Sequence, residues 1–167
     1  MRALHSLALL LLASCAAAPD EDDASIDATR ATGTLGLGEG ERDFRAIEDG
    51  DTLLIARGCQ GSQHVWMTLR SEDMDPRGMV VELAIVRADD DTLVSSPFRL
   101  RLSFTPDGGG AFAQLTGLTL QIPEPDLAIG HDLVLRGRLE DRNAVEALAE
   151  RSVRVEWGDE VCSSPPG

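Results

Sequence analysis

Between two apolar runs the chain reads Gly58-Cys59-Gln60-Gly61-Ser62-Gln63-His64-Val65-Trp66, a gathering of residues able to do chemistry. Glycines at 58 and 61 let a backbone come close to a ligand, and Gln60 and Gln63 offer amides. His64 brings an imidazole that takes a proton or a metal near neutral pH, and Trp66 a flat apolar platform with one N–H. The segment is the candidate binding loop, with Gln60, Gln63, His64 and Trp66 as its working residues. The same pattern also describes a glycine turn entering a strand, with His64 and Trp66 packed on one face, and this reading is preferred. A zinc or copper centre needs three or four placed ligands. Beyond the first residues the chain offers only His64 and His131 with Met67, Met74 and Met79, and no His-x-x-x-His or Cys-x-x-Cys spacing. No metal site and no cofactor are expected. The acidic turns Glu72-Asp73-Met74-Asp75 and Asp89-Asp90-Asp91 supply hard oxygen ligands of the kind calcium takes, but neither has EF-hand spacing.

Catalytic signatures are absent. There is no Gly-x-Ser-x-Gly and no Ser-x-x-Lys, and all 15 basic residues are arginine. With 29 acidic residues, a carboxylate pair carries no information about glycoside hydrolysis. The formal charge of −14 makes nucleic acid and anionic lipid headgroups poor partners. The chain reads as a binding or structural protein and not as an enzyme.

The beginning of the chain has a separate logic. Arg2, the run Leu7 to Leu12 and the small residues Ala13 and Ser14 form the charged, apolar and cleavage regions of a secretory signal, too short for a permanent membrane span. Leu12-Ala13-Ser14-Cys15 resembles the bacterial lipobox. The resemblance implies cleavage before Cys15, diacylglycerol on its thiol and usually acylation of the new amino terminus. It predicts a lipid-anchored protein of the cell envelope, membrane-bound through acyl chains worth about 0.8 kcal/mol per buried CH₂. Ala16 follows the cysteine where aspartate would mark inner-membrane retention, which favours the outer membrane. With Cys15 taken by lipid, Cys59 and Cys162 remain as a pair in an oxidising compartment and are expected to form a disulfide. Closing a loop of about 100 residues stabilises by up to about 4.7 kcal/mol in the chain-entropy account.

These features divide the chain into a signal at 1–14, an acidic tether at 15–32 and one β domain at 33–167. The tether, AAAPDEDDASIDATRAT over 16–32, has Ile26 as its single large apolar residue and cannot bury enough surface to offset its ordering entropy. After it, period-two alternation recurs with turn signals every eight to twelve residues. Strands are expected around Leu35–Leu37, Phe44–Ile47, Thr52–Ala56, Val65–Leu69, Met79–Arg87 and Thr92–Val94. Further strands are expected at Phe98–Phe104, Ala111–Leu115, Leu118–Ile122, Leu133–Leu139 and Val153–Trp157. Phe98, Leu100, Leu102 and Phe104 read as one core-facing row, and Gly137 as a bulge or a close contact. Asn143–Glu150 has helical propensity, but a hairpin turn at Asp141-Arg142-Asn143 gives the last strand its neighbour.

The fold expected is all-β, a two-sheet sandwich. Leu133 to Asp141 followed by Ser152 to Glu156 resembles the closing hairpin of immunoglobulin-like and fibronectin type III-like bacterial modules. Gly58-x-Gln60-Gly61-x-x-His64-x-Trp66 resembles a motif of lipoproteins of the myxobacterial kind. Ser62 stands where that motif has a second glycine and Cys59 where proline is common, and the motif implies fold and location without an activity. The expectation is an envelope binding or structural module whose partner is an envelope protein or a glycan. A metal-binding envelope protein is the alternative, and a hydrolase the more remote one.

Overall fold

A computed structural model, describing residues 32–58 and 61–160, shows an all-β chain. Its strands are β1 (Thr34–Glu39), β2 (Arg45–Ala46), β3 (Asp51–Arg57), β4 (Gln63–Glu72) and β5 (Met79–Arg87). They continue as β6 (Phe98–Leu102), β7 (Thr105–Pro106), β8 (Ala113–Gln121), β9 (Leu133–Glu140) and β10 (Glu146–Glu160). A 3₁₀ turn at Pro125–Leu127 is the one helical piece among the described residues.

Hydrogen bonds link the strands into one mixed sheet in the order β2-β1-β4-β3-β10-β9-β5-β6, with β8 on the other edge of β4 and β7 on β8. Only β3 and β10 run parallel. The join between β3 and β4 is two residue pairs long, Ala56 with His64 and Arg57 with Gln63. At this corner the sheet bends into two arms, one of β1, β2, β4, β8 and β7, the other of β3, β10, β9, β5 and β6. The arms curl until their inner faces share a single core. Val65, Met67 and Leu69 from β4 meet Met79, Val81 and Ile85 from β5 and Leu133, Leu135 and Leu139 from β9, all with essentially no exposure. Each such side chain contributes roughly 1.5–3 kcal/mol by leaving water. Gly137 is a close contact: a Cβ there would stand 2.8 Å from the Leu37 methyl and 2.9 Å from that of Leu35, so its bareness lets β1 lie against β9.

Several elements differ from their expected extents for identifiable reasons. The two strands expected at Ala111–Leu115 and Leu118–Ile122 are one strand, β8. Met67 pairs with Leu118 and Leu69 with Leu115, so Thr116 and Gly117 both face Thr68 in a bulge, where Gly117 takes a φ of 72°. Thr92–Val94 forms no strand, only a bridge between Leu93 and Val86. The last strand runs from Glu146, far longer than Val153–Trp157, because its first half pairs with β9 and its second with β3. The Phe98–Phe104 row is not uniformly buried: Phe104 is, but Leu100 is 51% exposed, because β6 ends the ladder. The hairpin at 141–143 forms as expected. Asp141 accepts the backbone N–H groups of Asn143 and Val145 at 2.7 and 2.9 Å, and that local pairing outcompetes the helical propensity that follows.

Candidate functional site

Gln63, His64 and Trp66 lie on β4 beside the corner that joins the arms. Cys15, Cys59, Gln60 and Cys162, and with them the expected lipidation site and the expected disulfide, lie outside the described residues. The Gln63 carbonyl accepts the Ile122 N–H at 2.8 Å, so its backbone serves the fold. His64 is 6% exposed, although it belongs to the outward row of β4. Neither of its ring nitrogens has a hydrogen-bond partner among the described residues, and burial pushes its pKa below 6.5. Its ring meets Trp66 edge-to-face with centroids 4.8 Å apart. Trp66 is half-buried and forms one wall of a notch of about 360 Å³ between Glu39, Arg45, Leu54 and Gly158. Glu39 accepts the Leu54 N–H at 3.1 Å and pairs with Arg45, which closes the gap between β1 and β3. The described part of the expected loop is thus a packing corner, and the His64 imidazole in it has no hydrogen bond among the described residues. Among the described residues no group of three or more His, Cys, Asp or Glu is arranged to hold a metal ion.

The acidic turns have partners of their own. Asp89 pairs with Arg87 at 2.6 Å and Asp91 with Arg136 at 2.8 Å, while Asp90 accepts the Thr92 N–H. Asp75 is held by Arg77 and Arg142, and its hydrogen bonds with Arg77 draw its pKa far below the usual carboxylate range.

Two features were not legible as sites in the sequence. The first is an open groove of about 560 Å³ on the outer face of the β10–β9–β5 arm. Ala84 lies in it, Leu93 and Leu148 stand 45% and 71% exposed along it, and Arg99, Arg136 and Arg138 border it. Those arginines are engaged: Arg99 reaches Glu82 at 3.2 Å, Arg138 reaches Glu82 and Glu146 on neighbouring strands at 3.1 and 2.5 Å and Glu140 on its own strand at 2.6 Å, and Arg136 also reaches Glu150 at 2.9 Å.

The second is on the outer face of the other arm. Gly36 and Gly38 leave the outside of β1 bare, and the Phe44 ring lies down on them; a Cβ at Gly38 would stand 2.5 Å from it. The Arg70 guanidinium sits 4.1 Å from the Phe44 ring centre and 4.3 Å from that of Phe112. Gly-x-Gly alternating with buried leucines was the one sequence signal that β1 leaves room for a ring.

No family model matches this chain and no curated protein matches it. Among solved structures it is similar to a superoxide reductase (neelaredoxin) from Ignicoccus hospitalis, at 14% identity and a TM-score of 0.35, covering 79% of this chain and 86% of that one. It is also similar to the CooA pilin subunit from enterotoxigenic Escherichia coli, at 12% identity and a TM-score of 0.38, covering 75% and 99%. Both likenesses are too slight to bear on function.

Proposed function

We propose that this chain is a lipid-anchored binding module of the cell envelope, held at the membrane through Cys15 and presenting its β domain to a protein partner. The observation that carries the binding role is the groove on the β10–β9–β5 arm. A leucine 71% exposed beside a second at 45% stands out on a face where Arg99, Arg136 and Arg138 are salt-bridged. An apolar floor with a charged rim is the anatomy of a recognition patch.

The Cys59–Cys162 disulfide belongs to the same proposal and is supported by strand register. Arg57 pairs with Glu160 in the parallel ladder of β3 and β10, and each cysteine follows its half of that pair by two residues. Oxidation by a disulfide-donating partner removes two electrons and two protons from the thiols and would close the corner at which the arms meet.

A photo-crosslinking residue at position 148 of the full chain, produced in its native envelope, tests the binding role. A discrete adduct with one envelope protein, absent when the same residue replaces Leu127, is expected; Leu127 is 44% exposed and away from the groove. Equal labelling at both positions, or none at 148, would overturn it. Intact-mass measurement of the same material reads the anchor and the bridge: acyl mass that disappears in Cys15→Ser, and a mass about 2 Da below the fully reduced chain.

A further inference from the structure

We propose that Arg70, clamped between Phe44 and Phe112, is the anion-recognising group of a binding site for an acidic, uronate-bearing glycan. The site is distinct from the groove and does not depend on it.

The argument begins with register. Arg70 pairs with Gly36 on one side and with Gln114 on the other, and Gln114 pairs with Thr105 of β7. These side chains form one polar row across the outer face of the β1–β4–β8–β7 arm. Arg70 donates from Nε to Gln114 Oε1 at 3.0 Å, which fixes the plane of the guanidinium. The two rings fix its height. Its Nη1 and Nη2 donate to no described residue. That is the unusual point, because the chain has 29 carboxylates for 15 arginines, and on the other arm single arginines hold up to three. A guanidinium already stacked and aligned loses little freedom when it takes a carboxylate by two parallel hydrogen bonds.

What lies beside it selects the ligand. A hollow of about 520 Å³ opens next to the stack, lined by Thr105, Pro106, Asp107, Phe112, Gln114, Leu115 and Thr116. The Asp107 carboxylate is turned to the Phe112 N–H at 3.3 Å. The Gln114 amide N–H groups and the hydroxyls of Thr105 and Thr116 can pair with sugar hydroxyls, and Pro106 and Phe112 offer apolar surface for a ring face. A peptide adding as a strand is disfavoured here, because the β7 edge is two residues long and one of them, Pro106, has no N–H to give.

The test is a titration of the ¹⁵N-labelled full chain with trigalacturonate, its fully methyl-esterified form and inorganic phosphate, followed by amide shifts. Saturable shifts with trigalacturonate at residues 105–116 and at Arg70 are expected, with the ester at least about tenfold weaker, since it removes the charged hydrogen bonds. Arg70→Gln should weaken trigalacturonate binding about tenfold or more, and Arg70→Lys less than Arg70→Gln. Should Arg70→Gln fail to fold, Gln114→Leu, which leaves the guanidinium in place, is expected to weaken binding severalfold. No saturable shift, ester and acid binding alike, phosphate binding as tightly as the sugar, or affinity unchanged in these variants would each overturn the proposal.

Discussion

On the outer face of the β10–β9–β5 arm, Arg138 is held by Glu82, Glu140 and Glu146, and Arg136 by Asp91 and Glu150. Across the molecule, on the β1–β4–β8 arm, Arg70 is held by two phenyl rings and an amide, and nearby His64 by no hydrogen bond among the described residues. Both faces carry a strand with outward arginines, so residue type does not separate them. The neighbours in the next strand do. Where Glu82 of β5 and Glu146 and Glu150 of β10 flank Arg136 and Arg138 of β9, each cation meets opposite charge across the ladder. Where β1 alternates leucine with glycine, an aromatic side chain takes the vacant floor and the cation stacks on it. The first arrangement neutralises charge, and the second fixes its orientation while leaving donors available.

The largest effect expected from breaking this contrast is at the glycine floor. Gly38→Val places a side chain where Phe44 lies and near the Arg45 carbonyl. Overpacking of this kind costs about 1–3 kcal/mol. Urea denaturation should show a lower midpoint with an unchanged slope, and an unaltered midpoint would mean that Phe44 does not rest on β1.

A smaller loss is expected on the charged arm. Arg138→Met leaves Glu82, Glu140 and Glu146 without the cation between them and should cost about 1 kcal/mol at low salt, with the difference shrinking in about 1 M salt as screening sets in. Arg70→Met should show no such salt-dependent recovery, because its partners are rings. Similar salt responses in both would erase the distinction between the faces.

The smallest change at neutral pH is expected at His64. His64→Phe should fall within about 1 kcal/mol of the native chain at pH 8, since removing an unpartnered buried polar group is close to neutral. The difference lies in acid. Burial lowers the folded-state pKa of His64, so above the ordinary value of 6.5 both states are neutral and stability is complete. As pH falls below 6.5 the unfolded chain takes up a proton that the folded chain refuses, and stability is lost until the lower folded-state pKa is passed. His64→Phe removes that component, and parallel pH profiles of the two proteins between pH 7.5 and 5 would show that His64 is not desolvated.

Much of the fold was readable because period-two alternation reports burial directly. Met79, Val81, Leu83 and Ile85 are the core face of β5, and Leu133, Leu135 and Leu139 that of β9. Alternation also misled, and for one reason: it reports which side a residue points to and not whether another layer covers that side. Leu100 alternates like its neighbours but lies on the last strand of the ladder, and His64 alternates as a surface residue but is enclosed at the corner. The candidate loop was found as a sequence pattern, and its described residues form a packed corner. The Arg70 stack could not be found that way, because Phe44, Arg70 and Phe112 are brought together only by the pairing of β4 with β1 and β8.

The sequence by itself determined the all-β class, most strand positions, the hairpin at Asp141 and the acidic balance of charge. These follow from local alternation, turn chemistry and composition, which act within a few residues. Tertiary structure alone decided the two-pair corner between β3 and β4, the parallel union of β3 with β10, the single long β8 and which outward arginines meet carboxylates. Those depend on strands distant in the chain lying side by side, and no local pattern encodes which strand a neighbour will be.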